Sequence, residues 1–240
     1  PIGSPAKFES EYLCFGQNEI DSFKTIGYQF KRIKVIGSLR NALFSEGSSS
    51  GSESDDIVLI SQFRSSILEP RPFVMLSEYE NIVHFLSSYL ESRAGLRVSV
   101  AMATTSDHPD HDSEILFHQE RLGNLANLVP KSADLTSNYL LTEQSNIVVS
   151  LASTLGLESL ARGRKTLMCS TLYAAVFADK PFTPDWILLS KDQDAFNEAI
   201  TRLLGMSRED FLSTNHQSAH YFMSPHHENS VPDILREILK

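Results

Sequence analysis

The sequence predicts an α/β fold in which a parallel sheet carries helices on both faces. Three observations predict it. Ile57–Ile60 and Ile147–Val149 are continuous apolar runs, the pattern of strands covered on both sides, and Thr166–Met168 reads as another buried strand. Between the first two lies a helical stripe of Tyr79, Ile82, Val83, Leu86, Tyr89 and Leu90. Strands and helices then alternate from Ile57 to Leu189, the order that parallel crossovers require.

The elements follow in order. Tyr12–Phe15 reads as a short strand, Asn18–Thr25 as a helical turn closed by Gly27, and Arg32–Ile36 as a strand ending at Gly37-Ser38. The tract Ser45–Ser54 holds little but Ser, Gly and Glu, the composition of a flexible loop. After strand 57–60 come a helix over 77–91 closed by Gly95, a strand over 97–103, a polar loop over 104–113 and a helix over 115–122 stopped by Gly123. Next are a short helix over 137–144, strand 147–149, a helix over 154–161, strand 166–168 and a last strand over 187–189. Helices over 195–204, 208–222 and 232–239 complete the chain. This is a Rossmann-like pattern. No repeat of fixed period is present.

The chain has 240 residues, 41% of them apolar and 21% charged, which suits one large domain or two small ones. Its 21 Lys and Arg against 30 Asp and Glu give a net charge of −9. That balance argues against a protein that wraps nucleic acid, where a cationic face must neutralise phosphates. Cys14 and Cys169 are far apart in sequence and read as buried, reduced thiols. No apolar run approaches the roughly 20 residues of a membrane-spanning helix. The chain starts at Pro1 rather than Met, so it is expected to be part of a longer polypeptide, with an upstream targeting segment left open.

Ligands of parallel α/β sheets sit beyond the carboxyl ends of the strands. The segments to inspect are therefore 61–72, 104–113, 150–158 and 169–181. The sharpest is Ser150–Glu158, where a buried strand runs into a turn of small residues. Ser153 is placed to cap a helix that Thr154 opens, and the free N–H groups there favour an anion. Gly156 would let a ligand or neighbouring backbone approach closely. Glu158 lies one turn beyond Thr154 and can accept two hydroxyl hydrogen bonds, as from a ribose. Singly, each residue also reads as a cap or a solvated charge; their joint placement before the closing Gly163 points to a ligand.

Ser61-Gln-Phe-Arg-Ser-Ser66 offers Arg64, Ser65 and Ser66 to a phosphate, or a solvated loop. In Ser106–Asp112, His108 and His111 sit three apart around Pro109, with no cysteine and no evident third ligand, which favours a solvated loop over a metal site. His226-His227-Glu228 reads as a surface loop, and His84 as a partly buried residue beside the apolar stripe. There is no P-loop or GxGxxG motif, and no GxSxG nucleophile elbow follows a strand run.

The stretch from Tyr139 to Leu167, with Ser153-Thr154-Leu-Gly156-Leu-Glu158 at its centre, resembles the donor-binding half of GT-B glycosyltransferases, and more narrowly bacterial surface-carbohydrate transferases of the Kdo and sialic-acid type. The resemblance implies that Ser153, Thr154 and Gly156 contact the phosphate of a nucleotide sugar and that Glu158 contacts the ribose. It supports Arg64 as a phosphate contact and brings in His108, since His108-Pro109 matches a dipeptide that touches the donor in some of these enzymes. Tyr12–Phe15 and Lys34–Arg40 look like the segment that crosses from the acceptor-side domain. Residues 1–44 are then a partial acceptor-side segment, 45–55 a flexible loop, and 56–240 the nucleotide-sugar-binding domain with its C-terminal helices.

The function implied is sugar transfer in surface polysaccharide biosynthesis, such as lipopolysaccharide or capsule, by a metal-independent enzyme with no cofactor. The donor would be CMP-, UDP- or GDP-linked and the acceptor a saccharide or lipid-linked saccharide. The enzyme would lie in the cytoplasm, at the inner face of the membrane if missing regions associate with it. In this family the general base normally comes from the acceptor side, and no residue of this chain can be assigned to it. The alternatives are a sugar-nucleotide epimerase of the same architecture and a non-catalytic nucleotide-binding or scaffold domain.

Overall fold

The buried runs become adjacent strands of a five-stranded parallel sheet. The computed structural model describes residues 7–47, 55–63, 72–93, 95–134, 136–173, 184–225 and 236. At the centre of the sheet lies β3 (Asp55–Ile60). β4 (Val98–Ala101) and β5 (Asn127–Val129) flank it on one side; β6 (Ser145–Ser150) and β7 (Lys165–Met168) flank it on the other. Every pairing is parallel. The chain thus winds outward from the middle, returns, and winds outward the other way. The reversal falls between β3 and β6, and such sheets hold their ligands in the crevice beyond that point.

Ile57, Val58, Leu59, Ile147, Val148 and Val149 are fully buried, as strands covered on both faces must be. Helices α3 (Pro72–Glu91), α4 (His111–Leu122) and α7 (Gln193–Gly205) form one packed group, with α4 and α7 both against α3. Helices α5 (Thr136–Glu143), α6 (Thr154–Ala161) and α8 (Arg208–Phe222) form another, with α5 and α8 both against α6. The whole expected stripe of α3, from Tyr79 to Leu90, is buried. Each large aliphatic side chain so placed contributes roughly 1.5–3 kcal/mol. His84 is the exception to the expectation: it is exposed, because it falls on the outer face of α3.

The edge strand β7 carries a buried Lys165 whose Nζ donates to the carbonyls of Leu203 (2.8 Å) and Met206 (2.6 Å). A cation at the carbonyl end of α7 meets the negative end of the helix dipole, which explains a lysine in a buried strand. Past β7 the chain returns at Ile187, which bridges Met168 in parallel at the expected last strand.

The N-terminal piece is a second, two-stranded parallel sheet. β1 (Lys7–Cys14) pairs with β2 (Gln29–Val35) across α1 (Gln17–Thr25). Phe8, Tyr12, Phe23, Tyr28 and Phe30 pack ring on ring there. A helix that the sequence reading lacked, α2 (Leu39–Gly47), follows. Helix α8 runs back to this piece: a Cβ on Gly16 would stand 2.5 Å from the Phe222 backbone, and the Ser224 N–H donates to Phe15 O (2.8 Å). The last of the expected C-terminal helices, 232–239, lies outside the described residues except for Arg236. Cys14 and Cys169 are buried free thiols, and burial pushes Cys14 up to about 11. Among the described residues no helix is long and apolar enough to cross a membrane.

Candidate functional site

A cleft of about 390 Å³ opens at the carboxyl ends of β3 and β6. Ser61 and Gln62 enter it just after β3, Ala152 and Ser153 from the turn after β6, Lys131 from the loop after β5, Asn138 and Tyr139 from α5, Thr154, Leu155 and Glu158 from α6 and Arg40 from α2. Its position is the switch point that the topology dictates.

The turn into α6 is built by side chains. Gln62 Oε1 accepts from the Ala152 N–H (2.7 Å) and the Ser150 hydroxyl (3.3 Å), tying the end of β3 to the end of β6. Ser150 Oγ accepts in turn from the Ser153 N–H (3.2 Å). Ser153 has extended backbone and accepts from the Leu155 N–H, so it is the helix cap that the sequence predicts. Thr154 is exposed at the lip of the cleft.

Gly156 does something other than expected. Its missing side chain faces the sheet, where a Cβ would stand 2.8 Å from Met168 Sδ and 3.0 Å from Ser150 Cβ. The glycine lets α6 lie tightly on β6 and β7; only its backbone N–H belongs to the first turn.

Glu158 lines the cleft yet is only 3% exposed. Its Oε1 accepts from the Ser38 hydroxyl and its Oε2 from the Tyr139 phenol (2.6 Å). Burial, then the Glu158 carboxylate, push the Tyr139 phenol far above its usual range, so it stays protonated as a donor. Behind them, Arg162 bonds Glu143 (3.0 Å), Thr142 (3.0 Å), Ser159 (3.2 Å) and Asn41, and lies over the rings of Phe44 and Tyr139. Burial pulls its guanidinium pKa down against the pull of Glu143.

A second buried carboxylate supports the cleft from below. Glu114, fully buried, accepts from the Ser61 hydroxyl, the N–H groups of Ala103 (2.8 Å) and Thr104 (3.0 Å), and the Thr104 hydroxyl (2.5 Å). It clasps the ends of β3 and β4 together. Glu78, elsewhere, bonds Ser170, Thr171 and Lys191; these outweigh its burial and hold its carboxyl below the ordinary range.

Of the residues expected from sequence, Ser153, Thr154 and Glu158 line one cleft. His108 does not line it. It is exposed in a turn, and its Nδ1 accepts from the Asp110 N–H (3.1 Å). His111 lies apart, with Nδ1 at 3.1 Å from Thr104 Oγ1. Among the described residues no three His, Cys, Asp or Glu side chains gather into a metal-binding group. Arg64, Ser65, Ser66 and the 226–228 loop lie outside the described residues. Sequence reasoning missed Arg40, Lys131, Gln62 and Tyr139. Gly37-Ser38 as a cap was a signal for Arg40 in the first turn behind it, and Gln62 and Tyr139 fall within the two stretches singled out above.

The strand order and the crevice at its reversal define a Rossmann-like α/β fold, a parallel sheet flanked by helices. The chain belongs to the family Lept_O_ant_chp1, described as "putative O-antigen biosynthesis protein", which matches residues 11–231. No curated protein is similar enough in sequence to count as a relative. Among solved structures, the chain is similar to the UDP-GlcNAc 2-epimerase of Methanocaldococcus jannaschii in complex with UDP-GlcNAc and UDP. That match has 11% identity and a TM-score of 0.58, over 96% of this chain and 61% of that one. It is similar to S. aureus MnaA with UDP at 12% identity and a TM-score of 0.57, over 93% of this chain and 57% of that one. It is similar to the wall teichoic acid polymerase TagF at 14% identity and a TM-score of 0.50, over 95% and 57%. The chain therefore spans about three fifths of the length of these proteins.

Proposed function

We propose that this chain binds a nucleotide sugar, CMP-, UDP- or GDP-linked, and serves as the donor half of a glycosyltransferase in O-antigen or related polysaccharide assembly. One observation carries the reading: the N-terminal turn of α6, the cations Arg40 and Lys131, and the carboxylate of Glu158 share a single cleft. The free N–H groups and the two cations suit a phosphate, and Glu158 suits a ribose. In transfer, those N–H groups and Arg40 would stabilise charge growing on the departing nucleotide phosphate. Residues 1–44 are read as the acceptor-side crossover, so the general base and the acceptor site belong to that other side. Membership of an O-antigen family and the GT-B-type fold support this reading.

Calorimetric titration with CMP, UDP, GDP and ADP tests it. Binding of one nucleotide well above the others is expected; binding of none removes the reading. With the sugar nucleotide so identified, transfer to a saccharide acceptor by the full-length protein separates a transferase from the alternatives. Release of an epimer without acceptor would make it an epimerase, and binding without turnover a scaffold.

A further inference from the structure

We propose that Tyr139 and Ser38 are positioning residues that turn Glu158 into a fixed double acceptor, and so set a preference for ribonucleotides over 2′-deoxyribonucleotides. The inference rests on the donor-binding reading and deepens it.

A carboxylate accepts hydrogen bonds on two oxygens, with about two lone pairs on each. In Glu158 the protein fills one site on each oxygen: Ser38 on Oε1 and Tyr139 on Oε2. One site per oxygen is left, on a carboxylate that lines the cleft. Two adjacent acceptors of this kind match the two adjacent hydroxyls of a ribose.

Both donors are themselves held. Ser38 Oγ accepts from the Asn41 N–H (3.2 Å) as the cap of α2, which directs its own proton to Glu158. The Tyr139 ring packs on Phe44 at 4.9 Å between centroids and under the Arg162 guanidinium at 5.2 Å. Glu158, Ser38 and Tyr139 are each at most 4% exposed, so water cannot replace either donor without a rearrangement. The two donors come from opposite sides, α2 and α5, and together they fix the plane of the carboxylate.

The test compares UDP and GDP with their 2′-deoxy analogues in wild type, Tyr139→Phe and Ser38→Ala, with Ser38→Thr as the conservative restoration. Tyr139→Phe keeps the ring and its packing and removes only the donor. Wild type should prefer the ribonucleotide about tenfold, the worth of one hydrogen bond to a charged acceptor. Tyr139→Phe and Ser38→Ala should each cut that preference to about threefold or less, and Ser38→Thr should restore it. A structural role alone would lower the melting temperature and leave the ratio unchanged. Wild-type preference retained in Tyr139→Phe overturns the inference and leaves the donor site standing. Equal binding of ribo and deoxy forms by wild type also overturns it. Binding of neither UDP nor GDP by wild type overturns it too, and the CMP and ADP arms of the panel then decide whether the donor-binding reading falls with it. Should Ser38→Ala fail to fold for want of its cap, Tyr139→Phe alone decides.

Discussion

Gly156 and Met168 touch through a space that no other residue could leave: a Cβ on Gly156 would stand 2.8 Å from the Met168 sulfur. Met168 is fully buried, so it has little room to retreat. Gly156→Ala should therefore destabilise the fold by about 1–3 kcal/mol through overpacking. For a domain of this size that is a fall in melting temperature of roughly 2–4 °C per kcal/mol. A thermal melt checks it, and an unchanged Tm would return Gly156 to the ligand role read from sequence.

Glu158→Gln has two expected effects where the sequence suggested one. Nucleotide affinity should drop about tenfold, since the charged acceptor is lost. Stability should drop as well, because a glutamine amide would present a donor to the hydroxyl of either Ser38 or Tyr139. A buried donor left facing a donor costs roughly 1–3 kcal/mol. Titration and melting of the same sample measure both.

Arg40→Ala separates binding from folding. Arg40 is exposed, so its loss should change stability by no more than about 0.5 kcal/mol and leave the melting temperature nearly unmoved. Affinity for UDP should fall about three- to tenfold, and the deficit should shrink as salt rises, since the charge is partly screened. Lys131→Ala, on the other wall of the cleft, should behave alike. A large fall in Tm with unchanged affinity would remove Arg40 from the site.

His118 sets a pH dependence. It is buried, with Nδ1 at 2.8 Å from the Glu114 carbonyl and Nε2 at 2.9 Å from the Tyr79 phenol, an arrangement that suits the neutral ring. Burial holds its pKa below the ordinary value of about 6.5. The unfolded chain therefore takes up this proton first. The contribution is fully present above about pH 6.5 and is lost as pH falls through the lowered value of the folded state. Melting temperature should decline from pH 7 to pH 5, and His118→Gln should flatten that slope. An identical slope in the variant would locate the titration elsewhere.

How much of this was legible in the sequence depended on how local the signal was. Ile57–Ile60 and Ile147–Val149 announce themselves as strands because burial on both faces leaves no alternation to confuse. β5 is only three residues, Asn127–Val129, too short for any period to register. α2 was hidden by the Ser and Gly that follow Phe44. Ser153 was readable as a cap because a cap is a contact two residues long. Glu158 was readable as an acceptor but not as a buried one, since its donor Ser38 lies 120 residues away in sequence. Gly156 was readable as a close approach, but what approaches it, Met168, is set by packing of α6 on the sheet.

The return of α8 to the N-terminal piece has a consequence for synthesis. β1, α1 and β2 leave the ribosome early, with Phe8, Leu13 and Phe15 each still more than a third exposed in the finished fold. Gly16 gains its close neighbour, and the Phe15 carbonyl its donor, only when Phe222 and Ser224 have been made. The piece is thus completed only after α8 has been made. Until then α1 and the turn at Gly16 lack the helix they pack on, and a chain stopped before α8 would leave them uncovered.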